Sequence, residues 1–356
     1  MTHLIVGTPS PVFEAESPVN PTFAFSSLGG RYVLLAFARG PAAGREAMHT
    51  AIQANRSLFD DDRIAAFTVL EDRADYAARR DERGLHWFFD GDGAIARLFG
   101  AEEPLWVLID PSLRILAFGG LDWTPRLFSI LPTLPAPDAH AGVEMIAPVL
   151  IVPRLLEPDL CQRLIAYYEA DGGKPSGTMR QVEGKTVGVL SDFKRRRDAQ
   201  IEDETLQTEI RARVRHRLMP EIEKAFQFKV TRIERYIVAC YDAETGGYFR
   251  PHRDNTTTGT AHRQFAVSIN LNDDFEGGDL RFPEFGSRTY RAPKGGAVVF
   301  SCTLLHEATP VTRGTRYATL PFLYDEAGKA IRDANLHTLV ARPPQQPEPQ
   351  PQEATA

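Results

Sequence analysis

The chain has 356 residues, 43% of them apolar and 25% charged, with a formal net charge of −6 at pH 7. That balance is ordinary for a water-soluble protein, its length favours two cores over one, and its acidic sign lacks the basic face that nonspecific nucleic-acid binding needs. No run of about 18 apolar residues is present, which excludes a helical membrane span, and "MTHLIVGTPSPVF" has neither the basic start nor the long apolar core of a secretory leader.

In the first third, strand-like and helix-like segments alternate. "RYVLLAFA" (31–38) is a continuous apolar run, as a strand covered on both faces requires. A helical stretch follows at 43–58, then a strand at 64–71, a helical stretch at 73–84, and "PLWVLIDPSLRILAF" (104–118), two strands joined at Asp110-Pro111-Ser112. Strands separated by helices predict βαβ units. The Pro- and Ala-rich stretch 131–142 reads as a linker. A helix is expected at 155–169, announced by Glu157-Pro158-Asp159. In 203–226, Leu206, Ile210, Val214, Leu218, Ile222 and Phe226 form an apolar helical stripe that Pro220 should kink or restart.

The character changes from 231 to 325, where short strand candidates are punctuated by Gly277-Gly278 and Gly295-Gly296, as in an antiparallel β fold. The tail 342–356, rich in Pro and Gln, has almost nothing to bury and is expected to be disordered. Cys161, Cys240 and Cys302 are odd in number, widely spaced and set among apolar residues. They read as small buried thiols of a cytoplasmic protein, not as a disulfide framework.

Within the β-rich stretch lies "PHRDNTTTGT" (251–260). Residues two apart project from one face of a strand, so His252 and Asp254 can share an ion. His306 follows 52 residues after Asp254, just past an apolar strand. Two imidazoles and one carboxylate form the facial triad of non-haem iron sites; taken singly, His306 reads more readily as a satisfied histidine at a strand end. Arg316, ten residues further on, places a guanidinium where it can hold a carboxylate in a bidentate pair. Tyr241 adds a phenol at the end of the strand leading to the first two ligands.

These pieces occur in a known order: Tyr241, His252-x-Asp254, Asn270-Leu271-Asn272, "EGGDL" (276–280), "APKGGAVVF" and "HEATPVTRGTRYA". In that order, 231–325 resembles the catalytic domain of Fe(II)/2-oxoglutarate dioxygenases of the prolyl 4-hydroxylase type, and "LLEPDLCQRLIAYYE" resembles the segment that opens it. The resemblance implies a double-stranded β-helix (jelly roll) with supporting helices. It further implies Fe(II) on His252, Asp254 and His306, 2-oxoglutarate held by Arg316 and touched by Tyr241, and L-ascorbate as reductant. Oxygen-sensing prolyl hydroxylases carry a second cosubstrate tyrosine where this chain has Asn270, and Arg263 is the nearby residue that can compensate. The implied reaction hydroxylates a C–H bond with O2, releasing succinate and CO2, with a peptidyl proline of a partner protein as the family-level substrate and a free amino acid or small metabolite as the alternative. Asp254 leaves no coordination place for a halide, which argues against halogenation.

The segment 1–120 is similar to peroxiredoxins and other thioredoxin-like α/β domains, through "VGTPSPVFEA", "GGRYVLLAFARG" and "FFDGDGAIARLFGAEEPLWVLIDPSLRIL". No cysteine precedes Cys161, so the nucleophile such a fold keeps after its first core strand is missing. The expected organisation is a degenerate thioredoxin-like domain over 1–130 serving for docking or structure, a linker over 131–145, and a dioxygenase domain over 146–335 with its core at 231–326. Two features keep alternatives open. Lys194–Arg197, after a Gly-rich segment, is either part of a mobile lid or a solvated helix start. Glu307 is either an exposed acid or the partner of His306. The competing functional reading is a non-catalytic scaffold that retains two enzyme-like folds.

Overall fold

The computed structural model describes residues 4–340, so the tail expected at 342–356 lies outside the described residues. The chain divides into two compact units, with the main break between Pro148 and Val149.

The first unit is built on a seven-stranded sheet. Tyr32–Ala38 and Ile64–Leu70 pair in parallel at its centre, and every residue of both is buried. Alternation sends Val33, Leu35 and Phe37 into a core with Phe13, Phe88 and Phe99, and Leu34 and Ala36 into a second with Met48, Ile52 and Trp106. Leu85–Phe89 extends the sheet in parallel, whereas Leu105–Ile109 runs antiparallel to Tyr32–Ala38 and carries Ile115–Gly119 on its far side. The turn between those last two strands is tied by the Asp110 carboxylate, which accepts from the amides of Ser112 and Arg114. The helix after the first central strand spans Ala42–Ala54. The helix expected at 73–84 is shorter, Arg73–Ala77. Past Ala77 the charged run offers no apolar stripe to bury, and a turn needs tertiary packing to stay helical. Leu131, at the head of the Pro- and Ala-rich stretch, is fully buried in the second of these cores.

In the second unit the helix Pro158–Asp171 carries Pro158 in its first turn and ends on Gly172 at φ +77°, a left-handed cap that glycine adopts without strain. The stretch expected to kink at Pro220 contains two α-helices, Glu204–Arg213 and Met219–Phe226, joined by a π-helical turn over Val214–Leu218. Pro220 lacks an N–H and cannot continue the first ladder, so the hydrogen-bond pattern widens ahead of it and restarts. Leu206, Ile210, Val214, Leu218 and Ile222 are buried against Val238, Cys240, Val267 and Ile269 of the strands Ile237–Asp242 and Phe265–Asn270. Phe226, the last of the expected stripe, is only partly buried.

Alternation then fixes the other face. Tyr241, Ser268, Asn270 and Arg316 project away from the helices, and all four are buried. These strands belong to a nine-stranded sheet, and a five-stranded sheet runs Lys194–Arg195, Tyr248–His252, His306–Ala308, Leu280–Arg281, Thr289–Tyr290. Two such sheets with helices behind the larger one fit the jelly-roll expectation for this half. No helix among the described residues is long and apolar enough to cross a membrane.

Candidate metal centre

His252 ends the strand Tyr248–His252, and His306 begins the strand His306–Ala308. The two strands are neighbours in the five-stranded sheet, which is how residues distant in sequence become adjacent. Asp254 follows on the loop, its N–H donating to the Cys302 carbonyl at 3.0 Å. The ligand atoms of His252, Asp254 and His306 all lie within 4.8 Å of one another, with His252 Nε2 at 3.5 Å from Asp254 Oδ1.

The ring orientations follow from the backbone. His252 Nδ1 lies 2.7 Å from the Arg250 carbonyl and His306 Nδ1 lies 3.0 Å from the Leu304 carbonyl. A carbonyl only accepts, so each Nδ1 carries the proton and donates, which leaves the Nε2 lone pair for an ion. Glu307 is not the partner of His306. It projects to the opposite face of its strand, where Arg281 pairs with it. The His252 ring is stacked on Phe249 at 3.4 Å between centroids, and the Lys194 ammonium lies 4.8 Å from the centre of that same phenyl ring. Two imidazoles and one carboxylate on one side, with both tautomers set, fit Fe(II) and leave its remaining positions for other ligands.

Arg316 is opposite Tyr241 in the strand register. Its Nε donates to Asn270 Oδ1 at 3.0 Å and its Nη2 to Ser268 Oγ at 2.6 Å. Burial draws its guanidinium below the ordinary arginine value. Asn270 is itself fixed, its Nδ2 donating to the Ala292 carbonyl at 2.8 Å. Asn270 therefore fixes the Arg316 guanidinium in place. Arg263 is engaged elsewhere: Nη2 donates to Glu234 Oε1 at 2.7 Å, and the guanidinium covers the Phe322 ring at 3.9 Å.

Sequence reasoning missed a buried group beside Tyr241. Arg196 donates from Nη1 to the Tyr241 hydroxyl at 3.3 Å and grips Asp198 through Nε and Nη2, each at 2.7 Å. Burial works to raise the Asp198 carboxyl, but Arg196 and Lys194 prevail and hold it down to about 2. Lys194–Arg197 is thus neither a helix start nor fully solvated. Lys194–Arg195 and Arg197–Gln200 are strands, and Lys194 and Arg196 are buried. The signal was present in "KRRRD", since strand alternation puts Lys194, Arg196 and Asp198 on one face. Ahead of them, Thr178–Val182 and Lys185–Val189 form a hairpin. All three cysteines are free and buried.

A family model described as the 2OG-Fe(II) oxygenase superfamily matches residues 236–324. Over those residues the chain is similar to the oxygenases of that superfamily. The chain is 39% identical over 85 residues to a PKHD-type hydroxylase of Delftia acidovorans, an alignment covering 21% of this chain and 38% of the relative. It is 28% identical over 98 residues to a PKHD-type hydroxylase of a Synechococcus strain, covering 26% of this chain and 43% of the relative. The chain therefore spans less than half the length of these curated relatives. Among solved structures it is similar to a Pseudomonas putida prolyl-4-hydroxylase, with 20% identity and a TM-score of 0.39 over 52% of this chain and 95% of that one.

Proposed function

We propose that the protein is an Fe(II)- and 2-oxoglutarate-dependent dioxygenase that hydroxylates a C–H bond. The observation carrying this reading is the convergence of His252, Asp254 and His306 within 4.8 Å. When bound, iron and 2-oxoglutarate supply the oxidising chemistry that couples O2 to hydroxylation, with succinate and CO2 released.

The protein's own residues do the positioning. His252, Asp254 and His306 would hold the iron from one side. Arg316, aimed by Asn270 and Ser268, would take the distal carboxylate of 2-oxoglutarate, and Tyr241 would flank it. The burial of Arg316, Tyr241 and Asn270 keeps water from competing for that carboxylate. L-Ascorbate as reductant, a cytoplasmic location and a peptidyl proline of a partner protein as substrate belong to the same proposal. The strand order of the first unit supports a thioredoxin-like fold, and with no cysteine before Cys161 its role is docking or structure, not thiol chemistry.

Anaerobic addition of Fe(II) and 2-oxoglutarate should produce a weak visible charge-transfer band. Cosubstrate should then be consumed on admitting O2. If neither occurs, the scaffold reading replaces this one.

A further inference from the structure

The oxygenase reading leaves the primary substrate open, and one arginine outside the metal and cosubstrate sites bears on it. Arg235 connects the strands Arg232–Glu234 and Ile237–Asp242 with φ at +71°, a left-handed backbone that side-chain-bearing residues rarely adopt. That bend sets Arg235 in the wall of a cavity of about 670 Å³, shared with Ser176, Gly177, Asp198 and Ile237. A volume of this order suits a small molecule or a short peptide segment. The cavity adjoins the cosubstrate residues through Asp198, which is gripped by Arg196, which in turn donates to Tyr241.

Not every cation here has a direct acidic partner. Arg196 is neutralised by Asp198 and Arg263 by Glu234. Arg235 forms no ion pair among the described residues. Its Nε and Nη2 both donate to one uncharged acceptor, the Leu320 carbonyl, at 3.1 and 2.6 Å, and its plane covers the Phe322 ring at 4.4 Å. Lys194 behind the same wall also donates only to uncharged oxygens, those of Ser176 and Gly177. Burial, with Arg196 and Arg263 near it, outweighs the pull of Asp198 and Asp254 and brings the Arg235 guanidinium down to about 10, so it stays cationic at neutral pH. Asp171 and Glu202 also line the cavity but are solvent-exposed. Water screens those two acids, whereas little screens the buried cation.

We propose that Arg235 is the receptor for a carboxylate on the primary substrate, which enters the cavity acid end first with a neutral or cationic portion toward Asp171 and Glu202. This inference rests on the oxygenase reading and narrows its substrate to a carboxylate-bearing one. The carboxylate belongs either to an acidic side chain of a peptide or to a small organic acid.

The test uses the full chain, anaerobic, saturated with Fe(II) and 2-oxoglutarate so that Arg316 is engaged. Calorimetry would compare acetyl-Ala-Glu-Ala-amide with acetyl-Ala-Gln-Ala-amide, and butyrate with butyramide. One acid should bind about tenfold more tightly than its amide, and the pair that discriminates identifies peptide or small acid. Arg235→Gln should reduce the discrimination to about twofold or less, and Arg235→Lys should restore part of it. In the wild type, the preferred acid and not its amide should slow hydrogen exchange at 232–237, a readout that stands if either variant fails to fold. The inference is overturned if neither pair discriminates, if exchange is unaffected, or if Arg235→Gln keeps full discrimination. The charge-transfer band in the same samples reports separately on the oxygenase reading. A band without discrimination removes the carboxylate site alone, and discrimination without a band removes the oxygenase assignment.

Discussion

Tyr241 and Arg316 face each other across two antiparallel strands, with the guanidinium carbon 5.3 Å from the centre of the phenol ring. The pair is held from both ends, since Asn270 and Ser268 accept from Arg316 while Arg196 donates to Tyr241. Arg316→Ala should therefore raise the 2-oxoglutarate requirement and leave iron binding near normal. Losing a buried charged partner costs about 2–5 kcal/mol, or roughly 30-fold and more in affinity. Titrating 2-oxoglutarate against the charge-transfer band checks this, and an unchanged midpoint would assign the carboxylate to another residue.

His252→Ala and Asp254→Ala should each abolish stoichiometric iron binding while leaving the circular dichroism spectrum unaltered. A triad has only three protein ligands, so losing one leaves too few. Metal analysis after anaerobic gel filtration reads the outcome; full occupancy in both variants would refute the assignment.

The first unit should lose stability in mild alkali. Burial opposes the charge on His86, but hydrogen bonds to Asp61 and Asp81 prevail and push its pKa up to about 9. Its Nε2 lies 2.7 Å from Asp61. A pKa raised above the unfolded value stabilises fully below about 6.5 and is lost as pH climbs through 9. The span corresponds to something on the order of 3 kcal/mol. Trp87, Trp106 and Trp123 all lie in this unit, so tryptophan fluorescence during urea unfolding isolates it. His86→Phe should flatten the profile between pH 6.5 and 9.

Gly277 has φ at +70°, and a Cβ there would meet the Pro310 carbonyl oxygen at 2.1 Å. That oxygen belongs to backbone and cannot step aside, so Gly277→Ala should destabilise the oxygenase domain by about 2–4 kcal/mol. A shift in the urea midpoint monitored by far-ultraviolet circular dichroism would show it.

Much of this was legible before any coordinates. Apolar runs marked the buried strands, and the order of His252, Asp254 and His306 pointed to three side chains that the fold does bring together. What stayed hidden was the partnering of charges. A lysine or arginine in a short strand reads as surface until its cross-strand neighbour is known. Lys194 is buried because Phe249 stands opposite it, and Glu307, on the face of its strand opposite His306, pairs with Arg281 of the neighbouring strand. Nor does any local pattern announce the left-handed turn at Arg235, which no glycine or asparagine marks.

The two candidate ligand histidines share one device, a ring N–H returned to the carbonyl two residues earlier in the chain. The orientation of each ring travels with the extended backbone that bears it, so substitutions at Arg250 or Leu304 should leave the ligands aimed as they are. Drift in the surroundings of such a centre alters what it acts upon long before it alters what it holds.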